Sequence, residues 1–207
     1  MNMKQSMWCG LALGAGGMLV CPAQAQVTFL SQSRTLWTWS QAGTAEAQAP
    51  DFNAWSSAIG VPPATASMTS DPITTILRAE QAHESGGHIQ IGYAGSRFVV
   101  EFAVAEPTPF SLTSLVRGMQ LGRSELSLTG SSGPVFSFVS AVQPFEYPQA
   151  AGLLAPGTYT FVSEIRHDAS ASLHEGGTQS FTLMIPTPGA ASVGLMAGGL
   201  LLLRRRR

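Results

Sequence analysis

The chain has 207 residues, 44% of them hydrophobic and only 11% charged, which is apolar material enough for one packed domain and less charge than the quarter or so usual in globular proteins. Residues 26–185 hold all 12 acidic side chains against six arginines and no lysine, a net charge of −6. A phosphate backbone is bound by clustered cations, so this balance excludes nucleic acid as a partner.

In chain order, the first element is not part of the domain. Lys4 is followed by an apolar run from Met7 to Val20 and then by Cys-Pro-Ala-Gln-Ala-Gln. Ala23 and Ala25 satisfy the small-x-small rule for signal peptidase, which predicts an N-terminal signal helix over residues 1–25 and a mature chain starting at Gln26. Gly14, Gly16 and Gly17 would weaken a permanently buried helix here. Cys21 is a poor lipidation site, because the residue before it is Val20 rather than a small one. Cys9 and Cys21 are the only cysteines, and both fall in the leader. The mature domain is therefore expected to fold without a disulfide or a thiolate metal site, as a core of this size can.

Residues 26–184 read as one secreted β-domain. "TFLSQSRTLWTWS" opens it as a strand. Ala42 to Ser70, rich in Ala, Ser, Thr and Pro, reads as an edge strand with a long loop. Asp71-Pro72 before "ITTILRAEQAH" carries a helix start signal, but its β-branched residues favour a strand. Alternation at period two then recurs. "HIQIGY" places Ile89, Ile91 and Tyr93 on one face, and "SRFVVEFAV" does the same for Phe98, Val100, Phe102 and Val104. Leu126 and Leu128 share a face in "ELSLTG", as do Phe136 and Phe138 in "PVFSFVSAV". Tyr159, Phe161 and Ile165 share one in "TYTFVSEI", as do Phe181, Leu183 and Ile185 in "SFTLMI". Turn signals separate them at Gly86-Gly87, Ala94-Gly95-Ser96, Gly130 to Pro134, Pro156-Gly157 and Gly176-Gly177. The expected fold is all-β, an antiparallel, jelly-roll-like β-sandwich.

The last element, residues 185–207, is "IPTPGAASVGLMAGGLLLLRRRR". Pro186 and Pro188 forbid a continuous helix and hold Pro186-Thr187-Pro188 extended. Residues 189–203 are uncharged and, as a transmembrane helix, would span about 22 Å at ~1.5 Å per residue, short of the ~30 Å hydrocarbon core. Arg204, Arg205, Arg206 and Arg207 would stay cytoplasmic and stop transfer, leaving the domain outside the inner membrane.

This order of Pro-x-Pro, short apolar helix and terminal arginine cluster resembles the PEP-CTERM sorting signal of Gram-negative bacteria. The resemblance covers only the tail, and Thr187 stands where the family motif usually has glutamate. It implies recognition by an exosortase-type enzyme, transient residence in the inner membrane, and release or transfer to the cell surface or extracellular polymer matrix. Two other readings of the tail are a rhomboid-type signal, which would want a glycine pair before the helix rather than Gly198-Gly199 within it, and a plain uncut anchor. "LAPGTYTF" resembles the closing hairpin of exported β-sandwich domains with such tails.

Few residues in the body point to chemistry. His83, Glu84 and His88 are of a metal-ligating type, yet a polar hairpin tip explains them equally. His167-Asp168 and His174-Glu175 offer too few acids for a calcium loop. There is no nucleophile elbow and no phosphate loop, and no recognisable pair of carboxylates for glycoside hydrolysis. No catalytic residue, metal or cofactor is therefore assigned. Trp37, Trp39 and Trp55 are either core residues or sugar-stacking rings. The expected function is a non-enzymatic envelope or extracellular-matrix protein; the alternatives are a carbohydrate-binding module with extracellular polysaccharide as partner, or a small glycan hydrolase. Coplanar exposed tryptophans on a sheet face would mark the carbohydrate-binding module.

Overall fold

The computed structural model describes residues 27–62, 64–73, 76–85, 92–117, 122–140, 145–168 and 175–185. The predicted signal peptide, with Ala23, Ala25 and Gln26, and the tail, with Pro186, Thr187, Pro188 and Arg204 to Arg207, lie outside the described residues, and so do the segments expected to form the two terminal helices.

Among the described residues the fold is all-β and contains no helix. In chain order the strands are β1 (Val27–Ser40), β2 (Gly43–Ala49), β3 (Trp55–Val61), β4 (Ala64–Ile73), β5 (Ile76–Ser85), β6 (Gly92–Val104), β7 (Thr108–Arg117), β8 (Gly122–Gly130), β9 (Gly133–Ser140), β10 (Phe145–Glu146), β11 (Gln149–Leu154), β12 (Gly157–Asp168) and β13 (Glu175–Met184). Sheet A runs β2-β1-β6-β12-β8-β9 and sheet B runs β10-β7-β13-β5-β4-β3, with β11 also paired to β7; every pairing is antiparallel.

The two sheets pack face to face on the alternating residues that the sequence marks. Phe98, Val100, Phe102 and Val104 are buried, as are Leu126 and Leu128, Tyr159, Phe161 and Ile165, and Phe181, Leu183 and Ile185. Phe181 of sheet B sits against two rings of sheet A, Phe98 at 5.2 Å and Phe161 at 4.9 Å between centroids. These tilted contacts suit the ring quadrupoles as well as burying area. Phe136 and Phe138 are only half-buried, because β9 is the edge of sheet A.

The interior turns polar toward one end. Thr38, Ser40, Ser96, Ser124, Ser140 and Ser163 are buried there together with Gln179. The Ser124 hydroxyl donates to Gln179 Oε1 at 2.7 Å and Gln179 Nε2 donates to Ser163 Oγ at 2.9 Å, so one amide ties sheet B to two strands of sheet A. Such a buried link is stabilising only while both its ends are satisfied.

Several expectations need correction. Ala42 to Ser70 does carry edge strands, β2 of sheet A and β3 of sheet B, but the expected long loop is instead β3 and the start of β4. The inward positions are Ala45, Ala47 and Ala49 in β2, Trp55, Ser57, Ile59 and Val61 in β3, and Ala64, Ala66, Met68 and Ser70 in β4, so the period-two signal exists but is written largely in small residues in β2 and β4. The segment after Asp71-Pro72 is strand as favoured, although the Asp-Pro pair closes β4 and β5 begins at Ile76. Ala94-Gly95-Ser96 is no turn: β6 runs straight through it. Gly176-Gly177 likewise lies within β13. "LAPGTYTF" forms no hairpin, since β11 belongs to sheet B and β12 to sheet A. The strand β7 has no counterpart in the reading of the sequence, because Pro107 and Pro109 mask the alternation of Phe110, Leu112 and Val116, all of them buried.

Turn chemistry is right at Gly130 to Pro134, where Gly133 has a φ of 116°, a conformation that glycine adopts without strain. Gly86-Gly87, Ile89 and Ile91 lie outside the described residues.

Candidate functional site

On β1 the burial alternates, with Gln32, Arg34, Leu36, Thr38 and Ser40 inward. This leaves Trp37 and Trp39 side by side on the outer face of sheet A. Trp39 is exposed and packs on the exposed Tyr93 of β6, the centroids 5.2 Å apart and the planes at 44°. Trp37 is half-buried for a different reason. Its partner in register is Gly95, and its indole occupies the space where a Cβ of residue 95 would stand: Cζ2 lies 2.2 Å and Cε2 2.5 Å from that point. The glycine read as a turn signal is therefore the seat on which a tryptophan ring lies. Trp37, Trp39 and Tyr93 form an aromatic platform on the outer face of β1 and β6, toward one end of these strands, although the 44° tilt means that its rings are not all coplanar.

Polar groups surround the platform. The row through Trp37 reads Glu46, Trp37, Gly95, Arg166 and Arg123 across β2, β1, β6, β12 and β8. The neighbouring row holds Gln48, Thr35, Arg97, Glu164 and Glu125. Arg97 and Glu164 pair at 3.5 Å, and Arg123 reaches Glu125 at 3.2 Å. The Gln48 amide donates to Glu46. Arg166 has no ion-pair partner among the described residues, and its Nε is buried without a hydrogen-bond acceptor.

Trp55, the third tryptophan, is elsewhere. It lies on β3 at the edge of sheet B, packs against the hydrophobic core, and has the Arg34 guanidinium 5.5 Å above its ring. Arg34 is fully buried and acts as a strut. Its Nη1 donates to Asn53 O at 2.6 Å and Ser70 Oγ at 2.8 Å, and its Nη2 donates to Asp51 O and Oδ1, both at 2.7 Å. Burial lowers the Arg34 pKa and the Asp51 carboxylate partly restores it, without discharging so basic a group. The Asn53 side-chain amide holds the Asp51 carboxyl below its usual value, helped by the Asn53 backbone N–H and by Arg34. A general acid for glycoside hydrolysis needs a raised carboxyl pKa; Asp51 moves the other way and is bound into the strut.

The remaining candidates do not converge. His83 and Glu84 are successive positions within β5, paired with Gly177 and Gly176 of β13, rather than a hairpin tip. His88 and His174 lie outside the described residues. His167-Asp168 ends β12 and Glu175 begins β13. Among the described residues no group of three His, Cys, Asp or Glu side chains is placed to hold a metal ion.

No protein-family model and no curated protein matches the chain. Among solved structures it is similar to TmCBM61 in complex with β-1,4-galactotriose, at 10% identity over 72% of this chain and 88% of that one, with a TM-score of 0.33. It is similar at 13% identity to the enzymatically active domain of bacteriophage CBA120 tailspike protein 4, over 61% of this chain and 20% of that one, with a TM-score of 0.32. A family 35 carbohydrate-binding module from Clostridium thermocellum matches at 12% identity over 49% of this chain and 86% of that one, with a TM-score of 0.24. The chain thus spans about a fifth of the tailspike chain. At TM-scores this low the overlap is partial and assigns no activity to this chain.

Two signals in the sequence point to the platform and one points away from it. Trp-x-Trp in an alternating strand puts both rings on one face, and Leu36 just before them marks the other face as inward. Tyr93, grouped with Ile89 and Ile91, reads as a core residue and is instead exposed. Gly95 and Arg166 carry no local signal, since their roles arise only from pairing with β1 and β8.

Proposed function

We propose that this chain is an exported, non-enzymatic envelope or matrix protein of a Gram-negative bacterium, with a jelly-roll-like domain that binds polysaccharide through the outer face of sheet A. The observation that carries the glycan reading is the seating of Trp37 over Gly95 beside Trp39 and Tyr93. An indole laid on a sheet presents an apolar face that suits the C–H face of a pyranose ring, and the flanking Thr35, Gln48 and Glu46 supply hydrogen-bonding groups for its hydroxyls. A tryptophan whose only task was core packing would lie inward, as Leu36 does.

The test is retention on insoluble or gel-embedded polysaccharides. The wild-type chain should be retarded in affinity electrophoresis by at least one acidic or neutral glycan of an extracellular matrix. Trp37→Ala and Trp39→Ala together should weaken that binding at least tenfold, as expected when an anchoring aromatic is truncated, with the thermal midpoint little changed. Equal retardation of the double variant and the wild type would remove the platform from the reading.

The termini complete the proposal through signal peptidase and an exosortase-type enzyme. A run of 15 uncharged residues is a short membrane anchor against the ~20 residues usually needed, which favours a role in sorting over permanent residence. Replacing Pro186 and Pro188 with alanine should trap the full-length protein in the inner membrane, and removing Arg204 to Arg207 should let it escape uncut. Immunoblots of fractionated cells of the native host decide this: wild-type protein that stays full-length in the inner membrane, with the proline variant behaving the same, makes the tail a plain anchor.

A further inference from the structure

We propose that the glycan taken by this face is acidic, with a carboxylate that is received by Arg166. The inference rests on the platform reading above and adds the charge of the ligand to it. The three arginines of this face are not equivalent. Arg97 is matched by Glu164 at 3.5 Å and Arg123 by Glu125 at 3.2 Å. Arg166 has no ion-pair partner among the described residues, and its Nε is buried without an acceptor. It also stands directly opposite Arg123 across the β12–β8 ladder. Like charges facing each other across adjacent strands are unfavourable, and an orphaned guanidinium N–H adds to that cost. An incoming anion at the outer end of the guanidinium offsets the repulsion between the two arginines.

Position gives the anion a place. Arg166 pairs with Gly95, the seat of the Trp37 ring, so its backbone is one strand spacing, about 5 Å, beyond the ring's support. A pyranose resting on Trp37 is flanked along this row by Arg166 on one side and by Glu46 on the other. A carboxylate carried on such a ring turns toward Arg166, whose planar fork matches a carboxylate in a two-pronged hydrogen bond, and away from Glu46. The net charge of −6 over residues 26–185 argues against general attraction of polyanions. Recognition therefore depends on Arg166, which has no ion pair among the described residues, and not on the field of the whole domain.

The experiment compares polygalacturonate with its fully methyl-esterified form, which has the same backbone but no charge, at about 0.15 M salt to screen diffuse attraction. The full-length chain is used, purified in mild detergent, with Arg166→Gln, Arg166→Lys and Trp37→Ala beside the wild type and thermal melts of each. The wild type should bind the acid form at least tenfold tighter than the ester. Arg166→Gln should lose that preference while keeping its affinity for the ester, Arg166→Lys should keep part of the preference, and Trp37→Ala should lose both polymers. Equal affinity of the wild type for acid and ester, or a preference untouched in Arg166→Gln, overturns the carboxylate assignment and leaves the platform standing. Binding unchanged in Trp37→Ala, or no binding to either polymer, overturns the assignment together with the platform that it rests on.

Discussion

Replacing Arg34 with alanine should lower the unfolding free energy by about 3 kcal/mol or more, since hydrogen bonds to a charged group contribute roughly 1.5–3 kcal/mol each. In a domain of this size the thermal midpoint should fall by roughly 6–12 °C. The side chain is fully buried and makes four contacts of 2.6–2.8 Å to Asp51, Asn53 and Ser70. Those residues lie on or beside the connection that carries the chain from β2 in sheet A to β3 in sheet B. Without the guanidinium, two backbone carbonyls and a buried serine lose their donors, and Trp55 loses the cation over its ring. Arg34→Met should recover part of the packing but none of the hydrogen bonds. Chemical denaturation of the three proteins checks this, and coincident curves for wild type and Arg34→Ala would show that the strut does not hold the crossing.

The acidic partner of the strut gives a dependence on pH. Asp51 has its pKa lowered in the folded state, by the Asn53 amide first and by Arg34 among the smaller causes. Its contribution is therefore fully present above the ordinary carboxylate range and is lost as pH falls through that range to the lowered folded value. Asp51 is exposed, so the effect is smaller than that of Arg34 and is reduced by solvent screening. Wild type and Asp51→Asn should differ in stability near neutral pH and converge in acid.

Gly95→Val should abolish glycan binding about as completely as Trp37→Ala, though residue 95 need not touch the ligand. A Cβ at this position would stand 2.2 Å from Trp37 Cζ2 and 3.0 Å from the carbonyl oxygen of Ile165. The ring must leave its seat, while the backbone of β12 has little room to move. Overpacking of this kind costs about 1–3 kcal/mol, so the domain should stay folded with a lowered thermal midpoint. Tryptophan fluorescence should report the displaced indole, and affinity electrophoresis should report the lost binding. A Gly95→Val protein that folds and binds like wild type would show that the seating of Trp37 is irrelevant to the face.

Alternation of large apolar residues made the core legible in the sequence. Phe98, Phe102, Leu126, Phe161, Phe181 and Leu183 are named by period two alone and are all buried, because a strand has only two faces and only one of them can be packed. Composition likewise determined that residues 26–185 hold no cysteine and carry an acidic balance. Tertiary structure alone decided β2 to β4, where the inward positions of β2 and the start of β4 are mostly alanines that carry little hydrophobic signal. It also decided the meaning of Gly95. A glycine reads locally as a turn, but opposite Trp37 it is the one residue whose missing Cβ leaves room for an indole. Arg166 follows the same logic. Its sequence neighbours say nothing of Arg123, which lies 43 positions earlier and becomes its direct neighbour only when β8 pairs with β12. Local pattern chooses which face of a strand is buried; long-range register chooses which side chains meet, and the platform and its cation are made of such meetings.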